Sequence, residues 1–264
     1  MNPFQRVGAA LMAPPVVGAG YTMHLGLAAL ARVGHVPRRW RSLLDQMHLC
    51  GVKSLHVVLF VNFFIGMILA LQLGFELSRY GQQEAVGLAV SVAMVREMAP
   101  MMTAVVLAAS VASAMAAELG TMRVQEEVTA LEVMSVDIFS YLVAPRVLAL
   151  TLIAPILTTL SAIVGILGGG LIAYSQLGLD FHGYMRASLE ALSDTSFFGV
   201  PRSLYTGLLK SMIFGFTISV IGCSNGLRAE HGASGVGNST RSAVRNSIIM
   251  IIVLNFFLGK IIYQ

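Results

Sequence analysis

Five long stretches without a charged residue constrain this chain more than any other feature. They cover Ser54–Phe75, Met98–Ala117, Val147–Leu179, Ser211–Leu227 and Asn246–Gly259. A helix needs about 20 residues to cross a hydrocarbon core about 30 Å thick, and each stretch is at or near that length. Because 56% of the residues are hydrophobic and only 11% are charged, a soluble fold could not bury the apolar surface. A membrane β-barrel would instead need short segments of alternating apolar and polar residues, which this sequence lacks.

The sequence therefore predicts an all-α, polytopic membrane protein with a single domain over residues 1–264. We predict spans at about 54–76, 86–117, 140–175, 203–227 and 242–263, preceded by an interfacial or elbow region over 1–53. Within that region Pro14 and Pro15 interrupt an apolar segment. The prolines favour a helix lying in the membrane interface, and a bent sixth span and a signal peptide are the alternatives.

The arginines predict the orientation of the chain. Arg38, Arg39 and Arg41 flank the only tryptophan, Trp40, a combination typical of a cytoplasmic membrane surface. With the N-terminus inside, the inner segments hold eleven Lys and Arg residues and the outer segments and helix ends hold five. This asymmetry predicts a cytoplasmic N-terminus and a C-terminus on the outer side of the membrane.

Motifs for nucleotide, metal or hydrolytic chemistry are absent from the sequence. The glycines of HGASGVGNST, residues 231–240, follow no predicted strand and precede no lysine, so we predict a connector between two helices rather than a phosphate loop. The six histidines show no ligand spacing, and Cys50 and Cys223 are far apart, so both cysteines are expected to be reduced. We expect no catalytic residue, no metal and no cofactor in this chain.

Two adjacent charges, Arg96 and Glu97, lie deep in the second predicted span. They follow its start by about ten residues, or about 15 Å. Ionisable residues at such a depth are costly and usually face a cavity or a partner, so the pair indicates a functional site. Because adjacent residues point in different directions on a helix, each charge needs a partner elsewhere, and Gln72 and Glu76 are candidates. The structural alternative is a bend at Pro100 that brings the pair near an interface.

A charged segment, Glu118–Phe139, separates the second and third spans. Its apolar residues recur at steps of three and four, as on one face of a helix: Val124, Val128, Leu131, Met134 and Ile138. We predict this amphipathic helix at about 119–136. Its many acidic residues do not suit a membrane surface, so a protein partner is favoured. Since the chain has no nucleotide site, we predict that the helix docks on a separate ATPase.

Small residues recur at helical spacing in two spans. Ala104, Ala108, Ala112 and Ala116 are spaced by four, and Gly165 and Gly169 form a G-x-x-x-G motif. Such spacing lets helix backbones approach closely in a membrane. Packing within one chain and a seam between two copies are both consistent with it.

Over nearly its whole length the chain resembles the MlaE/YrbE permease family. The resemblance rests on FIGMILALQLG, VREMAP, ELGTMRVQEEVTALEVMSVDIFSYLVAPR and IGCSNGLRAEHGASGVGNSTRSAV. It implies a homodimer in the bacterial inner membrane, bound to two cytoplasmic ATPase subunits that carry ATP and Mg²⁺ and to a periplasmic MCE-domain lipid-binding protein. The implied activity is transport of phospholipids between the inner and outer membranes.

The resemblance also implies roles for individual residues. The residues that match a lipid cavity at the dimer interface are Leu69, Glu76, Leu77, Tyr80, Arg96 and Glu97. The residues that match the ATPase-coupling helix are Thr121, Arg123, Glu126, Glu127, Leu131, Glu132, Met134 and Asp137. A carboxylate at Glu76 departs from the apolar residue that is common there, which indicates a different headgroup preference.

Two other classes of function are consistent with a polytopic membrane protein. An ion-coupled secondary transporter would use an intramembrane carboxylate such as Glu97 as a carrier, but the inverted repeats typical of that class are not found in the sequence. A membrane scaffold would explain the amphipathic helix but not the intramembrane charges.

Overall fold

Ten α-helices and one pair of two-residue strands form the part of the chain that the computed structural model describes, residues 3–32, 40–193, 196–197, 200–230 and 232–263. The helices are α1 (Pro3–Arg32), α2 (Trp40–Arg79), α3 (Val86–Ala93), α4 (Ala99–Leu107), α5 (Ser113–Val124), α6 (Glu127–Val133), α7 (Ala144–Leu177), α8 (Phe181–Ser193), α9 (Arg202–Leu227) and α10 (Gly232–Tyr263). Strands β1 (Ser196–Phe197) and β2 (Val200–Pro201) pair antiparallel between α8 and α9. A 3₁₀ turn (Gln83–Ala85) precedes α3, and three π-helical segments (Met94–Met98, Ala108–Ala112 and Phe139–Val143) lead into α4, α5 and α7.

Five helical stretches among the described residues are long and apolar enough to cross a membrane. They are Trp40–Arg79, Gln83–Val124, Phe139–Leu177, Ser203–Leu227 and Gly232–Ile262. Each predicted span overlaps one of these stretches over all, or all but one, of its predicted residues. The prediction of an all-α, polytopic membrane protein is confirmed.

Two of the spans, the first and the fifth, begin ten or more residues before their predicted starts. α2 begins at Trp40, so the part of the predicted elbow region from Trp40 to Lys53 continues the first span, whereas Arg38 and Arg39 lie outside the described residues. At about 1.5 Å per residue α2 measures about 60 Å, so one end projects beyond a bilayer core. Hydropathy locates only the segment that lies in the membrane, and charged residues do not by themselves end a helix.

The fifth span also begins earlier than predicted, because α10 starts at Gly232. The prediction of a connector at 231–240 is therefore wrong for 232–240, and His231 lies outside the described residues. A Cβ added at Gly120 of α5 would lie 3.5 Å from Val236. This packing against α5 stabilises helical structure in a Gly- and Ser-rich segment whose intrinsic helix propensity is low.

The predicted single helix at 119–136 is also wrong. α5 ends at Val124 and α6 covers only Glu127–Val133. The two helices are separated by a turn in which Glu126 has a φ of 61°, and Ser135 beyond α6 has a φ of 58°. The apolar spacing continues across the turn, and no glycine or proline marks it, so the sequence carried no signal of the break.

α1 is helical through Pro14 and Pro15 and is not one of the five candidate spans. It contacts α9, α7 and the Phe139–Val143 segment. Thr22 and Ser224 share a hydrogen bond of 2.8 Å between their hydroxyl oxygens. This polar contact joins α1 to α9, while the position of α1 in the membrane interface stays a prediction.

The G-x-x-x-G motif brings α2 and α7 into backbone contact. A Cβ on Gly66 would collide with the carbonyl of Gly165, and a Cβ on Gly168 would lie 2.6 Å from the carbonyl oxygen of Phe63. Glycine is required where two helix backbones approach this closely. The motif therefore packs two spans of the same chain.

The alanines at four-residue spacing also pack within the chain. Ala104, Ala108, Ala112 and Ala116 are all at most 2% exposed. A Cβ on Gly222 would lie 3.2 Å from the Cα of Ala112, and a Cβ on Gly226 would lie 3.0 Å from the carbonyl oxygen of Ala116. Both small-residue motifs thus support the interpretation of packing within one chain.

α8 is an element that the sequence analysis did not predict. α7 ends where Gly178 adopts a φ of 65°, and α8 then packs against α3 and α7. The hydroxyl of Tyr184 donates to the carbonyl of Ile166 at 3.2 Å, and Ser188 donates to the carbonyl of Gly87 at 3.0 Å. These bonds fix α8 against two spans.

Candidate functional site

Arg96 and Glu97 lie in the π-helical segment Met94–Met98, where the Ala99 N–H bonds to the carbonyl five residues before it. A π-helical turn inserts an extra residue into a helix and is frequent at functional sites. The widened turn places two adjacent charged side chains within one membrane span.

Lys210 of α9 is the counter-charge of Glu97. The side chain of Lys210 is fully buried, and its Nζ donates to Glu97 Oε1. Nζ also lies 3.4 Å from the carbonyl oxygen of Arg96. Proline has no N–H, so Pro100 cannot donate the usual helical hydrogen bond to that carbonyl. A buried ammonium group is tolerated only with such partners.

Side chains from α9 and α10 complete this charged cluster, which we define as Arg96, Glu97, Ser203, Lys210 and Asn255. Asn255 Nδ2 donates to Glu97 Oε2 at 3.2 Å, and Arg96 Nε donates to Ser203 Oγ at 2.9 Å. About a third of the Glu97 side chain is exposed. The cluster therefore has both a buried part and an accessible part.

Gly207 allows α9 to approach the π-helical segment. A Cβ at this position would collide with the carbonyl of Val95 and would lie 3.6 Å from Pro100. Lys210 follows Gly207 by about one helical turn on the same side of α9. The close backbone approach is therefore what brings the Lys210 ammonium group to Glu97.

The sequence suggests Gln72 and Glu76 as partners for the two charges, but Glu97 pairs with Lys210 and Asn255 instead. A Cβ on Gly165 would contact Met94 and lie 3.0 Å from the carbonyl oxygen of Asn62, so the π-helical segment lies at the level of Asn62. Glu76 follows Asn62 by fourteen residues, about 21 Å along α2. Its carboxylate instead lies 3.4 Å from Arg79.

The other predicted cavity residues lie along the end of α2. Leu69 and Leu77 are half-buried against the apolar cluster that contains Met94, whereas Tyr80 is 76% exposed. An open concavity of about 800 Å³ is lined by Gln72, Phe75, Glu76, Ser78 and Arg79. Within one chain the structure therefore separates the predicted cavity residues of α2 from the charged cluster.

The sequence analysis missed Lys210, Ser203 and Asn255. Lys210 directly precedes the uncharged stretch Ser211–Leu227, so in the sequence it resembles a charge at a helix end. It lies eight residues into α9, and this depth was the available signal, because a lysine so far from a helix end needs a partner. Asn255 had no comparable signal.

The predicted coupling residues lie on and around α6. Val128 is 2% exposed and Leu131 packs against the same apolar cluster, so one side of α6 is anchored. Val133 and Met134 at its end are 81% and 64% exposed. The predicted coupling residues that are exposed are Thr121, Glu126, Glu127, Glu132, Met134 and Asp137, whereas Arg123 is half-buried.

Asp137 holds α1 against this segment. Its carboxylate accepts hydrogen bonds from Arg32 Nε at 2.5 Å, Ser140 Oγ at 2.8 Å and the Phe139 N–H at 3.2 Å. Partial burial acts to raise the pKa of Asp137, but the hydrogen bonds from Ser140 and Arg32 and the Arg32 charge outweigh it and lower the pKa. The carboxylate is thus ionised at neutral pH.

A second ion pair connects α5 with α7 near the same end of the molecule. Arg146 Nη2 lies 3.3 Å from Glu118 Oε2, and its Nη1 donates to the carbonyl of Leu142 at 2.9 Å. Most of the Arg146 side chain is buried. The helices on both sides of α6 are therefore joined by a partly buried pair.

Comparisons with known proteins identify the family. Residues 43–261, which include both the charged cluster and α6, match the family described as Permease MlaE. A "Probable ABC transporter permease protein" of Synechocystis sp. is 40% identical over 230 residues, which are 85% of this chain and 82% of the relative. A protein with the same description from Rickettsia bellii is 34% identical over 238 residues, 90% of this chain and 89% of the relative.

A plant protein is similar as well. "Protein TRIGALACTOSYLDIACYLGLYCEROL 1, chloroplastic" of Arabidopsis thaliana is 37% identical over 225 residues, which cover 85% of this chain and 62% of the plant protein. The family match, the permease relatives and the five apolar helices agree with one another. The chain is a multi-pass membrane protein that belongs to the MlaE permease family.

Proposed function

We propose that this chain is the membrane subunit of an ABC transporter that moves phospholipids between the inner and outer bacterial membranes. A homodimer, two separate ATPase subunits and a periplasmic MCE-domain protein complete the proposed transporter. The proposed location is the inner membrane, with a cytoplasmic N-terminus and a periplasmic C-terminus. Membership of the MlaE permease family, relatives named as ABC transporter permeases and a plant relative named after a galactolipid support this proposal.

The observation that carries the proposal is the charged cluster inside the spans. Lys210 and Arg96 bring an ammonium group and a guanidinium group together with the Glu97 carboxylate within the spans. A phosphodiester headgroup can accept hydrogen bonds from a guanidinium group such as that of Arg96. The exposed part of Glu97 gives the cluster a side from which a headgroup can approach.

The apolar faces of α2 and α10 suit acyl chains. Phe60, Phe64 and Ile68 of α2 are 45–65% exposed, and Phe256 and Phe257 of α10 are 68% and 54% exposed. These faces are covered in a membrane by lipid or by a second copy of the chain. In the proposed homodimer they enclose the cavity that extends from the charged cluster to Glu76 and Tyr80.

α6 is the proposed contact with the ATPase. Its buried side fixes it to the helix bundle through Val128, while Val133 and Met134 present an apolar tip beside exposed glutamates. An ATPase that displaces this tip also displaces α5 and α7, which are joined by Glu118 and Arg146. The nucleotide-driven movement then reaches the spans that carry the charged cluster.

The test of lipid transport uses the purified transporter with its ATPase in proteoliposomes. Lys210→Gln and Arg96→Gln are expected to lower ATP-dependent transfer of a labelled phospholipid by at least tenfold. Arg96→Gln removes a contact with the headgroup, and Lys210→Gln removes the buried charge that positions Glu97. Lys260→Gln, at an exposed lysine of α10, is the matched control. Transfer at the unaltered rate in both cluster variants would contradict the proposed headgroup site.

A carrier coupled to ions is the second candidate, because a partly exposed carboxylate paired with a buried lysine also suits proton transfer. Transfer by this mechanism would follow an imposed proton or sodium gradient without ATP. Transfer that requires ATP and is indifferent to such gradients excludes it.

The ATPase contact is tested separately. We expect Val133→Asp combined with Met134→Asp to abolish co-purification of the ATPase, because the two carboxylates cannot be buried in an apolar interface. Tyr174→Asp, at a residue that is 64% exposed at the far end of α7, is the control. Unchanged co-purification of the double variant would show that the ATPase binds elsewhere.

A further inference from the structure

A groove separate from the charged cluster lies between α1 and α10, with α9 as its floor. Its volume is about 920 Å³, within the usual range for sites that bind small molecules. The floor is formed by Phe216, Thr217, Val220 and Ile221, and the apolar walls include Leu27 of α1 and Ile249 of α10. We call it the α1/α10 groove.

The length of the groove corresponds to one membrane leaflet. Along α9 it extends from Phe216 to Arg228, twelve residues or about 18 Å. One leaflet of a hydrocarbon core about 30 Å thick measures about 15 Å. Lys210 lies eighteen residues from Arg228, about 27 Å along the helix, so the cationic end of the groove is remote from the charged cluster.

One end of the groove is polar and cationic. Arg228 and Arg245 both line it there. The Arg228 guanidinium carbon lies 6.0 Å from the centre of the Tyr21 ring, and a Cβ on Gly18 would lie 2.7 Å from Arg228 Nη1. Arg245 Nη2 lies 3.4 Å from Ser242 Oγ. The opposite end of the groove is apolar.

The two arginines have no carboxylate partner in the part of the chain that the structure describes. The ion pairs found there join Arg32 to Asp137, Arg79 to Glu76, Arg146 to Glu118 and Lys210 to Glu97. Two guanidinium groups at the mouth of an apolar groove are complementary to a phosphate that carries acyl chains. A second copy that covered the groove with an apolar helix would leave both charges uncompensated.

We propose that the α1/α10 groove binds an anionic phospholipid. Its phosphate group lies between Arg228 and Arg245, and its acyl chains follow the apolar walls toward Phe216. The mouth is at the end of the molecule that carries α6, because a Cβ on Gly120 near the end of α5 would lie 3.2 Å from Ala229. The ligand is therefore a lipid of the leaflet on the α6 side of the membrane. This inference requires a membrane location but not phospholipid transport.

The test is native mass spectrometry of the full chain, with any subunits that co-purify, after equilibration with phosphatidylglycerol or phosphatidylcholine. We expect retention of phosphatidylglycerol by the unaltered protein and weaker retention of phosphatidylcholine. Arg228→Gln and Arg245→Gln should each lower the retention of phosphatidylglycerol about fivefold. Arg241→Gln, at an exposed arginine of α10 that does not line the groove, should leave it unchanged.

A second pair of variants tests the apolar part of the groove. Ile249 and Ile252 are 55% and 53% exposed on α10, but only Ile249 lines the groove. Ile249→Trp should fill the groove and displace the lipid, whereas Ile252→Trp should have no effect. This comparison separates loss of the groove from loss of folding.

Three results would overturn the inference. They are retention of phosphatidylglycerol by the double arginine variant at the unaltered level, equal retention of the two lipids, and disulfide formation between two copies through Leu27→Cys and Ile249→Cys. The last result would show that a second copy occupies the groove. Because the measurement uses neither ATP nor lipid transfer, its outcome is independent of the test of transport.

Discussion

Lys210 shows how a single residue decides the chemistry of a span. Its side chain is completely buried, and its partners, the Glu97 carboxylate and the Arg96 carbonyl, both come from the π-helical segment. The missing N–H of Pro100 leaves that carbonyl available. The Arg96–Glu97 pair in the second span therefore depends on a lysine that lies more than one hundred residues later in the chain.

Removing the Lys210 charge should destabilise the protein strongly. In Lys210→Met the Glu97 carboxylate loses its counter-charge, and we expect a loss of about 3 kcal/mol in the free energy of unfolding, since breaking a buried ion pair costs about this much. The measurement is thermal or denaturant unfolding in detergent.

The double variant Lys210→Met with Glu97→Gln serves as the control for this prediction. It removes both charges, so it should recover most of the stability lost in the single variant. A double variant that is as unstable as Lys210→Met would show that packing around the lysine stem, and not the ion pair, dominates.

The Asp137 carboxylate should make a contribution to stability that depends on pH. Its pKa in the folded protein is lowered by Ser140 and Arg32, so it stabilises the folded state above the unfolded pKa of about 3.9, and this contribution is lost as the pH falls through the lower, folded value. Because the pair is partly exposed, we expect Asp137→Asn to cost about 0.5–1 kcal/mol at pH 7.

The cost of Asp137→Asn should shrink progressively below about pH 4. Unfolding in detergent at pH 7 and at pH 3 checks this, with Glu132→Gln, at an exposed carboxylate of α6, as the control. An equal cost of Asp137→Asn at both pH values would contradict the role of the ionised carboxylate.

At the scale of elements, glycine and alanine determine which helices touch. α2 and α7 make the most extensive contact between elements, and they meet where Gly66 faces the Gly165 backbone. Leucine side chains in place of these glycines would hold the axes of α2 and α7 further apart. In lipid no hydrophobic effect would compensate for the lost contacts. The G-x-x-x-G motif would by itself also be consistent with dimerisation, but here it packs two helices of the same chain.

Gly66→Ala should be among the most destabilising single changes. The added methyl group meets a backbone carbonyl, which cannot rotate away, so the helices must separate, and we expect a loss of about 2–3 kcal/mol. Gly237→Ala is the control, because only the far end of Arg241 lies within 4 Å of the added atom. Gly237→Ala should be neutral or slightly stabilising, since alanine is the better helix former. Equal unfolding midpoints for the two variants would contradict the close backbone contact between α2 and α7.

At the scale of the whole molecule, the ends of the helices define two opposite faces. The turn after α2 near Gln82 and the tip of α6 near Met134 are separated by the second span, Gln83–Val124. A membrane of ordinary thickness therefore places them on opposite sides.

Labelling in intact cells tests this orientation. Gln82→Cys should react with a membrane-impermeant maleimide added from outside the inner membrane, whereas Met134→Cys should react only after lysis. Both residues are exposed. The natural Cys50 and Cys223 are buried, so they should not react with the maleimide. The reverse pattern would show that α6 faces the periplasm and would exclude its contact with a cytoplasmic ATPase.

The sequence by itself determined the number and approximate position of the spans. A bilayer requires each span to be a long, apolar helix whose backbone groups form their hydrogen bonds within the helix. It also located Arg96 and Glu97, since a charge within an apolar stretch is visible without any structure. The family followed from motifs that are local in sequence.

Only the tertiary structure decided how those parts combine. It paired Glu97 with Lys210, turned the small-residue motifs inward, divided the predicted coupling helix at Glu126 and left two arginines at the mouth of the α1/α10 groove. These features depend on which helix faces which. In a membrane that choice follows from backbone approach and buried polar partners, neither of which hydropathy or periodicity records.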